Sequence, residues 1–321
     1  MTANPPAPRI EAAPAPDLGV RAAWLYYVEG LTQQEIARVL NVSRAKVIRL
    51  LAAARDSGVV RIRIDARGSE QMALERRLVR AFDLTEAIVA PAPVDDSAVA
   101  AVVGQAAGTY MADQVHDGMS IGIGWGSTLN LSLKAVVSQA FEGLSVISLL
   151  GGMTHSRAIN PSAVARRLAD AFGADCYQLT APVFVASDAT REALWAEPGL
   201  RELLERARRV DLALVSVGDV SVDATLFREG LLPRSQLGSL VDAGAVGDVL
   251  CQFIDAHGRV VDHPVSRRVV AVGLDDLRRV PKIVIAAGGR RKVDAIRAAL
   301  KATQARVLIT EASAASGLLE R

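Results

Sequence analysis

Residues 31–51, LTQQEIARVLNVSRAKVIRLL, read as two short helices joined by a tight turn. Thr32-Gln33-Gln34-Glu35 has the S/T-x-x-E form of a capping box, in which the threonine hydroxyl accepts from the Glu35 amide and the Glu35 carboxylate from the Thr32 amide. A helix is therefore expected from Gln33. Ile36, Ala37 and Leu40 recur at helical spacing, and Asn41, which tolerates the left-handed conformation, follows as the turn residue. Ser43 is a natural N-cap for the second helix. At 100° per residue Val47 and Leu50 fall on one side of that helix, and Arg44, Ala45 and Ile48 centre on the other with Arg49 at the edge.

Such a pair is a helix-turn-helix: the apolar side seats the second helix and the other side enters a major groove. Arg44 and Arg49 are the candidates for base edges, where an arginine pairs bidentately with guanine, and Ala45 and Ile48 share their face. Lys46, Ser43 and Gln33 fall nearer phosphates. The plainer alternative is a helical hairpin whose basic residues are only a solvated face. Charge distribution favours DNA. The chain carries a net +2, but residues 32–64 hold seven basic residues against two acidic ones, leaving a net negative remainder. A basic surplus on one small module is the footprint of a nucleic-acid binder whose affinity falls with salt.

At 321 residues the chain is long enough for two or three domains, and its 50% hydrophobic and 22% charged content is that of a soluble globular protein. Cys176 and Cys251 stand far apart without metal-ligand spacing, so reduced thiols are expected and no metal. No apolar run reaches membrane-span length and the N-terminus lacks the form of a signal peptide, so the expected location is the cytoplasm, without membrane contact.

Residues 1–17, rich in Ala and Pro, are expected to be a disordered leader, with the DNA-binding domain at 18–66. A first helix is expected at Val20–Glu29, its Trp24, Tyr26 and Tyr27 packing on the helical pair. The alternating run Val59–Ile64 is either a wing touching the DNA backbone or a strand with a solvated edge. Residues 67–84 form a linking helix, Gly68 to Phe82, with apolar Met72, Leu78, Val79 and Phe82. It could dock on the next domain or form a dimer seam, and two-fold operators favour the seam.

Residues 85–321 alternate strands and helices. Strands are expected at Ala87–Ala90, Met119–Ile123, Ser145–Leu150, Cys176–Leu179, Leu212–Val217, Lys282–Ala286 and Arg306–Thr310, with one helix opened by Asn160 and Pro161. Several are continuous apolar runs, which suits a mainly parallel, doubly wound sheet covered on both faces. Asp255–Gly258 reads as a hairpin turn within Gly247–Val261. Ligands of such sheets bind beyond the carboxyl ends of strands. Four glycine turns qualify: Gly122 to Thr128, Gly151-Gly152, Gly247-Asp248, and Gly288-Gly289 followed by Lys292. A dinucleotide reading is weak, since no acid follows the second strand, and a Walker A reading fails for want of its lysine, so no cofactor is expected.

These residues resemble the SorC family of sugar-binding transcription regulators, related to DeoR-type repressors. The resemblance covers nearly the whole chain from Arg21 and rests on residues 32–64, GIGWGSTL, LLGG, NPSAVARRLADAFGA, VGDV followed by FIDAHG, and AGGRRKVDAIRAAL. It implies an operator-binding homodimer or homotetramer whose C-terminal domain has the fold of sugar-phosphate isomerases and deaminases, reused to sense a sugar, polyol or sugar-phosphate. By motif, Gly124, Trp125, Gly126, Ser127 and Thr128 match the phosphate or sugar loop, with Gly152 of the LLGG turn beside it. Asp248 matches an acid for sugar hydroxyls and Lys292 a lysine for the effector's phosphate. Cys251 and Gln252 stand where the family often carries a glycine and a basic residue. One cation fewer leaves room for a neutral polyol or sugar. The reading from another class is an active isomerase or deaminase, for which Asp219 and His155 are the general-base candidates.

Overall fold

The computed structural model describes residues 17–60, 68–153 and 160–320. The expected leader up to residue 16, most of the Val59–Ile64 strand or wing, and His155 lie outside the described residues. The chain divides into two compact units, residues 1–64 and 65–321.

In the first unit α1 (Leu18–Tyr27), α2 (Gln33–Val39) and α3 (Arg44–Asp56) enclose a small core of Ala22, Ala23, Leu25, Ile36, Ala37, Val47, Leu51 and Ala54. Asp17 caps α1 by accepting from the Gly19 amide. The aromatic residues are not part of that core: Trp24 is 58% exposed, and Tyr26 and Tyr27 stack edge to face on the surface. The small side chains of Ala22 and Ala23 let the helices approach closely, and Leu25 fills the remaining space. Ring residues at helical spacing suggested a core that these three already supply.

The second unit opens with α4 (Ser69–Phe82), whose Leu74 and Leu78 are buried in that unit's own core. Glu75 accepts from the Val89 amide at 3.0 Å and fastens the helix to the first strand. The apolar side assigned to a seam is therefore occupied by the helix's own domain, and only Met72 of the expected residues is well exposed.

All seven expected strands are present and form one sheet. They are β1 (Glu86–Ala90), β2 (Ser120–Ile123), β3 (Ser145–Ser148), β4 (Asp175–Tyr177), β5 (Leu212–Val215), β9 (Lys282–Ala286) and β10 (Val307–Glu311). Their order is β1-β10-β9-β5-β2-β3-β4, and every pairing is parallel. β5 and β10 are buried at every position, as strands covered on both faces must be. The helices between them are α5 (Val99–Gln114), α6 (Ser127–Ser132), α7 (Pro161–Phe172), α8 (Asp188–Ala196) and α9 (Pro198–Ala207). Then follow α10 (Thr225–Arg228), α11 (Gln236–Asp242), α12 (Leu274–Leu277), α13 (Val293–Thr303) and α14 (Ala312–Leu319). Asn160 caps α7 through the Ser162 amide, with Pro161 at its first position.

A second, antiparallel sheet of β6 (Val217–Asp219), β7 (Gly247–Val249) and β8 (Gln252–Ile254) branches from the end of β5. Here one hairpin turn was not anticipated. The tight turn joining β7 and β8 is Leu250-Cys251, both left-handed at φ 51° and 62°. A two-residue turn of this kind usually carries Asn-Gly. The Cys251 amide instead donates to the Asp248 carboxylate at 3.1 Å, inside the protein. The expected turn at Asp255–Gly258 is also present, the Gly258 amide donating to the Asp255 carbonyl at 2.9 Å and the Val261 amide to the Phe253 carbonyl at 3.0 Å, with Ile254 and Val260 bridged antiparallel.

Candidate functional site

The first unit presents an exposed basic helix, α3. Thr32 and Glu35 form the reciprocal capping box, the Thr32 amide donating to the Glu35 carboxylate at 2.7 Å and the Glu35 amide to the Thr32 hydroxyl at 3.3 Å. The Thr32 hydroxyl also donates to the Glu35 carboxylate at 2.7 Å, and this bond together with that from the Thr32 amide holds the Glu35 carboxyl below its usual range. Asn41 makes the turn at φ 52°, and Ser43 caps α3 by accepting from the Lys46 amide. Val47 and Leu51 are buried and Leu50 is half-buried, which seats the helix. Ser43, Arg44, Ala45, Lys46, Ile48 and Arg49 are all exposed. The Arg44 guanidinium reaches Gln33 at 3.4 Å, so the start of α2 and the start of α3 form one polar surface.

In the second unit a cavity of about 240 Å³ lies where the sheet order reverses. From β2 the chain runs outward to β3 and β4, while from β5, the neighbour of β2 on its other side, it goes to β9 and β10. Beyond the carboxyl ends of two strands that diverge in this way a crevice opens. Trp125, Gly126, Ser127 and Thr128 enter it from the end of β2, Ser216 to Asp219 from the end of β5, and Gly288 to Lys292 from the end of β9. Asp96 and Ser97 come from the segment after β1, and Asp223, Thr225 and Arg228 from around α10. Gly126, at φ 121°, makes a turn only glycine accommodates easily. The Trp125 carbonyl accepts from the Ser216 hydroxyl at 2.6 Å, which ties the β2 and β5 loops together. On the β9 side the buried Glu311 carboxylate accepts from the Gly289 amide and from those of Ser313 and Ala314, fixing the glycine turn to the start of α14.

The deep end of the cavity carries the shifted groups. Burial pushes the Asp248 carboxyl up to about 6, against the pull of Lys292 and the bond from the Cys251 amide. Burial likewise lowers the Lys292 ammonium, while Asp219 and Asp248 favour its charge. The Lys292 amino group donates to the Val217 carbonyl at 2.8 Å, and Asp219 accepts from the Ser221 hydroxyl at 2.6 Å. The arginines sit at the mouth, each beside a carboxylate: Arg291 with Asp223, Arg290 with Glu320, and Arg228 with Glu229.

Of the residues expected around the effector, Trp125, Gly126, Ser127, Thr128, Asp248 and Lys292 line this cavity. Gly124 and Gly152 do not. The Gly124 amide is used by the Leu214 carbonyl beneath Leu250. Gly152 follows β3, one strand beyond the point of reversal, and its amide and carbonyl bond the segment around Pro182. Asp248 lies in a strand rather than in a turn. Gln252 donates to the Val272 carbonyl and Cys251 is buried behind Asp248, and neither lines the cavity. Asp96, Ser97, Arg228, Arg290 and Arg291 were not anticipated. Arg290 and Arg291 stand directly before Lys292 and were the legible ones.

An exposed basic reading helix joined to an α/β domain with a polar cavity defines a ligand-responsive DNA-binding protein. Residues 67–320 match the family described as "Putative sugar-binding domain". The erythritol catabolism regulatory protein EryD of Brucella abortus is 33% identical over 304 residues, covering 94% of this chain and 96% of that protein. The deoxyribonucleoside regulator of Bacillus subtilis is also 33% identical, covering 94% and 97%. The full-length sorbitol operon regulator SorC from Klebsiella pneumoniae superposes with a TM-score of 0.70 at 24% identity, covering 94% of this chain and 98% of that one. The chain belongs to the SorC family of sugar-binding transcriptional regulators.

Proposed function

We propose that α3 reads operator DNA and that the cavity binds a polyol, a sugar or its phosphate, whose presence changes DNA affinity. Arg44 and Arg49 contact base edges, Ala45 and Ile48 the apolar parts of the groove, and Ser43, Lys46 and Gln33 the phosphates. In the cavity Asp219 and Asp248 accept from hydroxyls, each carboxylate serving two donors, while Ser127 and Thr128 complete the polar wall. Lys292 and the arginines of the mouth face any anionic group. The observation that carries this reading is the meeting of three strand-end loops around a buried carboxylate at the point where the sheet reverses. The relatives named for erythritol catabolism and for deoxyribonucleosides support small polyhydroxylated effectors. The working unit is a homodimer or homotetramer, as a two-fold operator requires.

A carboxyl poised near 6 is also what a general base needs, so a catalytic reading rests on Asp248 and Asp219. The relatives are named regulators, and we assign the site to sensing without turnover. A thermal-shift screen against tetritols, pentitols, hexitols, sugars and their phosphates tests this. A compound at a hundred times its Kd should stabilise by ~2.7 kcal/mol. The effect should disappear in Asp248→Asn, and no compound should be consumed on prolonged incubation. Stabilisation unchanged in Asp248→Asn places binding elsewhere, and steady consumption makes the domain an enzyme.

A further inference from the structure

The tetrapeptide Val-Gly-Asp-Val occurs twice, at residues 217–220 and 246–249. The two copies pair antiparallel, so that Gly218 stands opposite Asp248 and Asp219 opposite Gly247. Each aspartate thus faces the other copy's glycine, yet the two glycines are needed for different reasons. A Cβ on Gly247 would lie 2.5 Å from the Ala295 Cβ of α13 and 2.8 Å from the Gly218 carbonyl oxygen, so Gly247 serves the packing of helix on strand. A Cβ on Gly218 would lie 1.9 Å from Asp248 Oδ1, and its three nearest heavy atoms would all belong to that carboxyl group. Gly218 is not among the residues at positive φ, so its backbone conformation suits any amino acid. No backbone crowding accounts for this glycine. The carboxylate does.

We infer that Gly218 is a positioning residue for Asp248: the missing side chain is the space into which the carboxylate leans, across the β6–β7 ladder and into the deep end of the cavity. On directly opposed residues of an antiparallel pair the side chains share a face and lie close together. With hydrogen at 218 the Asp248 carboxylate occupies that face beside Lys292, Asp219 and the Cys251 amide, with Arg228 and Arg291 further out. With a methyl there it must rotate away, lose the Cys251 amide and leave the site. The Gly-Asp pair then acts as one unit, and residue 218 controls ligand recognition through Asp248. The functional weight of this inference rests on the proposed effector site, but its test needs no effector. An absence of sugar binding would therefore leave the result standing.

The experiment is a double-mutant cycle on the full chain, with Tm measured from pH 4 to 8 for wild type, Gly218→Ala, Asp248→Ala, the double variant, and Gly247→Ala alone and with Asp248→Ala. The carboxyl raised to about 6 makes wild type lose stability relative to Asp248→Ala as pH rises from about 4 to about 6. Gly218→Ala should abolish that difference profile, because the displaced carboxylate returns towards water. Its Tm loss at pH 4 in the wild-type background, where the Asp248 carboxyl is uncharged, on the order of 5 °C, should vanish when Asp248 is already alanine. Gly247→Ala should cost the same in both backgrounds. An equal loss from Gly218→Ala in both backgrounds, or a difference profile it leaves unchanged, overturns the inference. Should Gly218→Ala fail to fold alone, a folded double variant supports the inference and an unfolded one refutes it.

Discussion

The two surfaces proposed for recognition are built in opposite ways. In the helix-turn-helix head every group proposed for DNA contact lies within Thr32 to Arg49, and helical periodicity alone places it: Val47 inward, Arg44 and Arg49 outward. In the cavity the groups come from residues 96 to 292 and meet because parallel strands bring their carboxyl ends to one edge of the sheet and the small antiparallel sheet sets Asp248 beside them. A surface of the first kind is altered one side chain at a time. A site of the second kind depends on loops held to one another, by Ser216 on the Trp125 carbonyl and by Glu311 on the Gly289 amide.

That contrast is most severely tested by replacing Arg44 and Arg49 together with Ala. Each base contact is worth ~1–3 kcal/mol, so sequence-specific affinity should fall by about 10² or more in an anisotropy titration, with a shallower salt dependence. The thermal response to a cavity ligand should be unchanged. Retained specificity would remove α3 from its assigned role.

The next largest effect concerns Asp248→Asn. A carboxyl raised from 3.8 to about 6 favours the folded state only while protonated, so that stability is present below pH ~4 and lost as pH rises through about 6. Relieving it at pH 7.5 gives at most ~3 kcal/mol, reduced by the weakened bond from the Cys251 amide. The variant should melt higher than wild type at pH 7.5, equal it near pH 4, and fail to respond to ligand. A variant that melts lower at pH 7.5 would mean that the Lys292 and Cys251 contacts outweigh burial.

A smaller change separates folding from recognition within the head. Ser43→Ala should cost ~1 kcal/mol in stability through loss of the cap on α3. Ser43→Asp should restore stability while leaving DNA affinity reduced, because a carboxylate repels phosphate. Equal DNA affinity in the Asp variant would place Ser43 away from the backbone. The smallest effect expected is that of Asp223→Ala. Its partner Arg291 is largely exposed, so stability should move by less than ~0.5 kcal/mol. Affinity for phosphorylated compounds should rise as the arginine is released, and a fall would assign Asp223 to hydroxyl recognition.

Both the legible and the illegible parts follow from these constructions. Capping box, turn residue and opposed faces of α3 are local, and local rules found them. The seven parallel strands were legible as apolar runs bounded by turn signals, because burial on both faces demands such runs. The Asp255–Gly258 turn was legible from its Asp and Gly, but the β7–β8 turn was missed because Leu250 and Cys251 carry no turn signature; the Asp248 carboxylate holding the Cys251 amide takes the place of one. Trp24 and Tyr27 looked like core residues by spacing, and only the fold reveals that Ala22, Ala23 and Leu25 fill that space. Gly152 looked equivalent to Gly126 as a strand-end glycine. Strand order, which the sequence does not display, puts one at the reversal and the other beyond it.

The central claim is that occupation of the cavity changes the affinity of the head. The most direct measurement is fluorescence anisotropy of a DNA fragment selected in vitro by the full chain, titrated with and without the compound that most stabilises the protein. A coupling of ~1–3 kcal/mol predicts a change in DNA Kd of about 5- to 150-fold, absent in Asp248→Asn. A compound that binds in the cavity and leaves the DNA Kd unchanged would contradict the account.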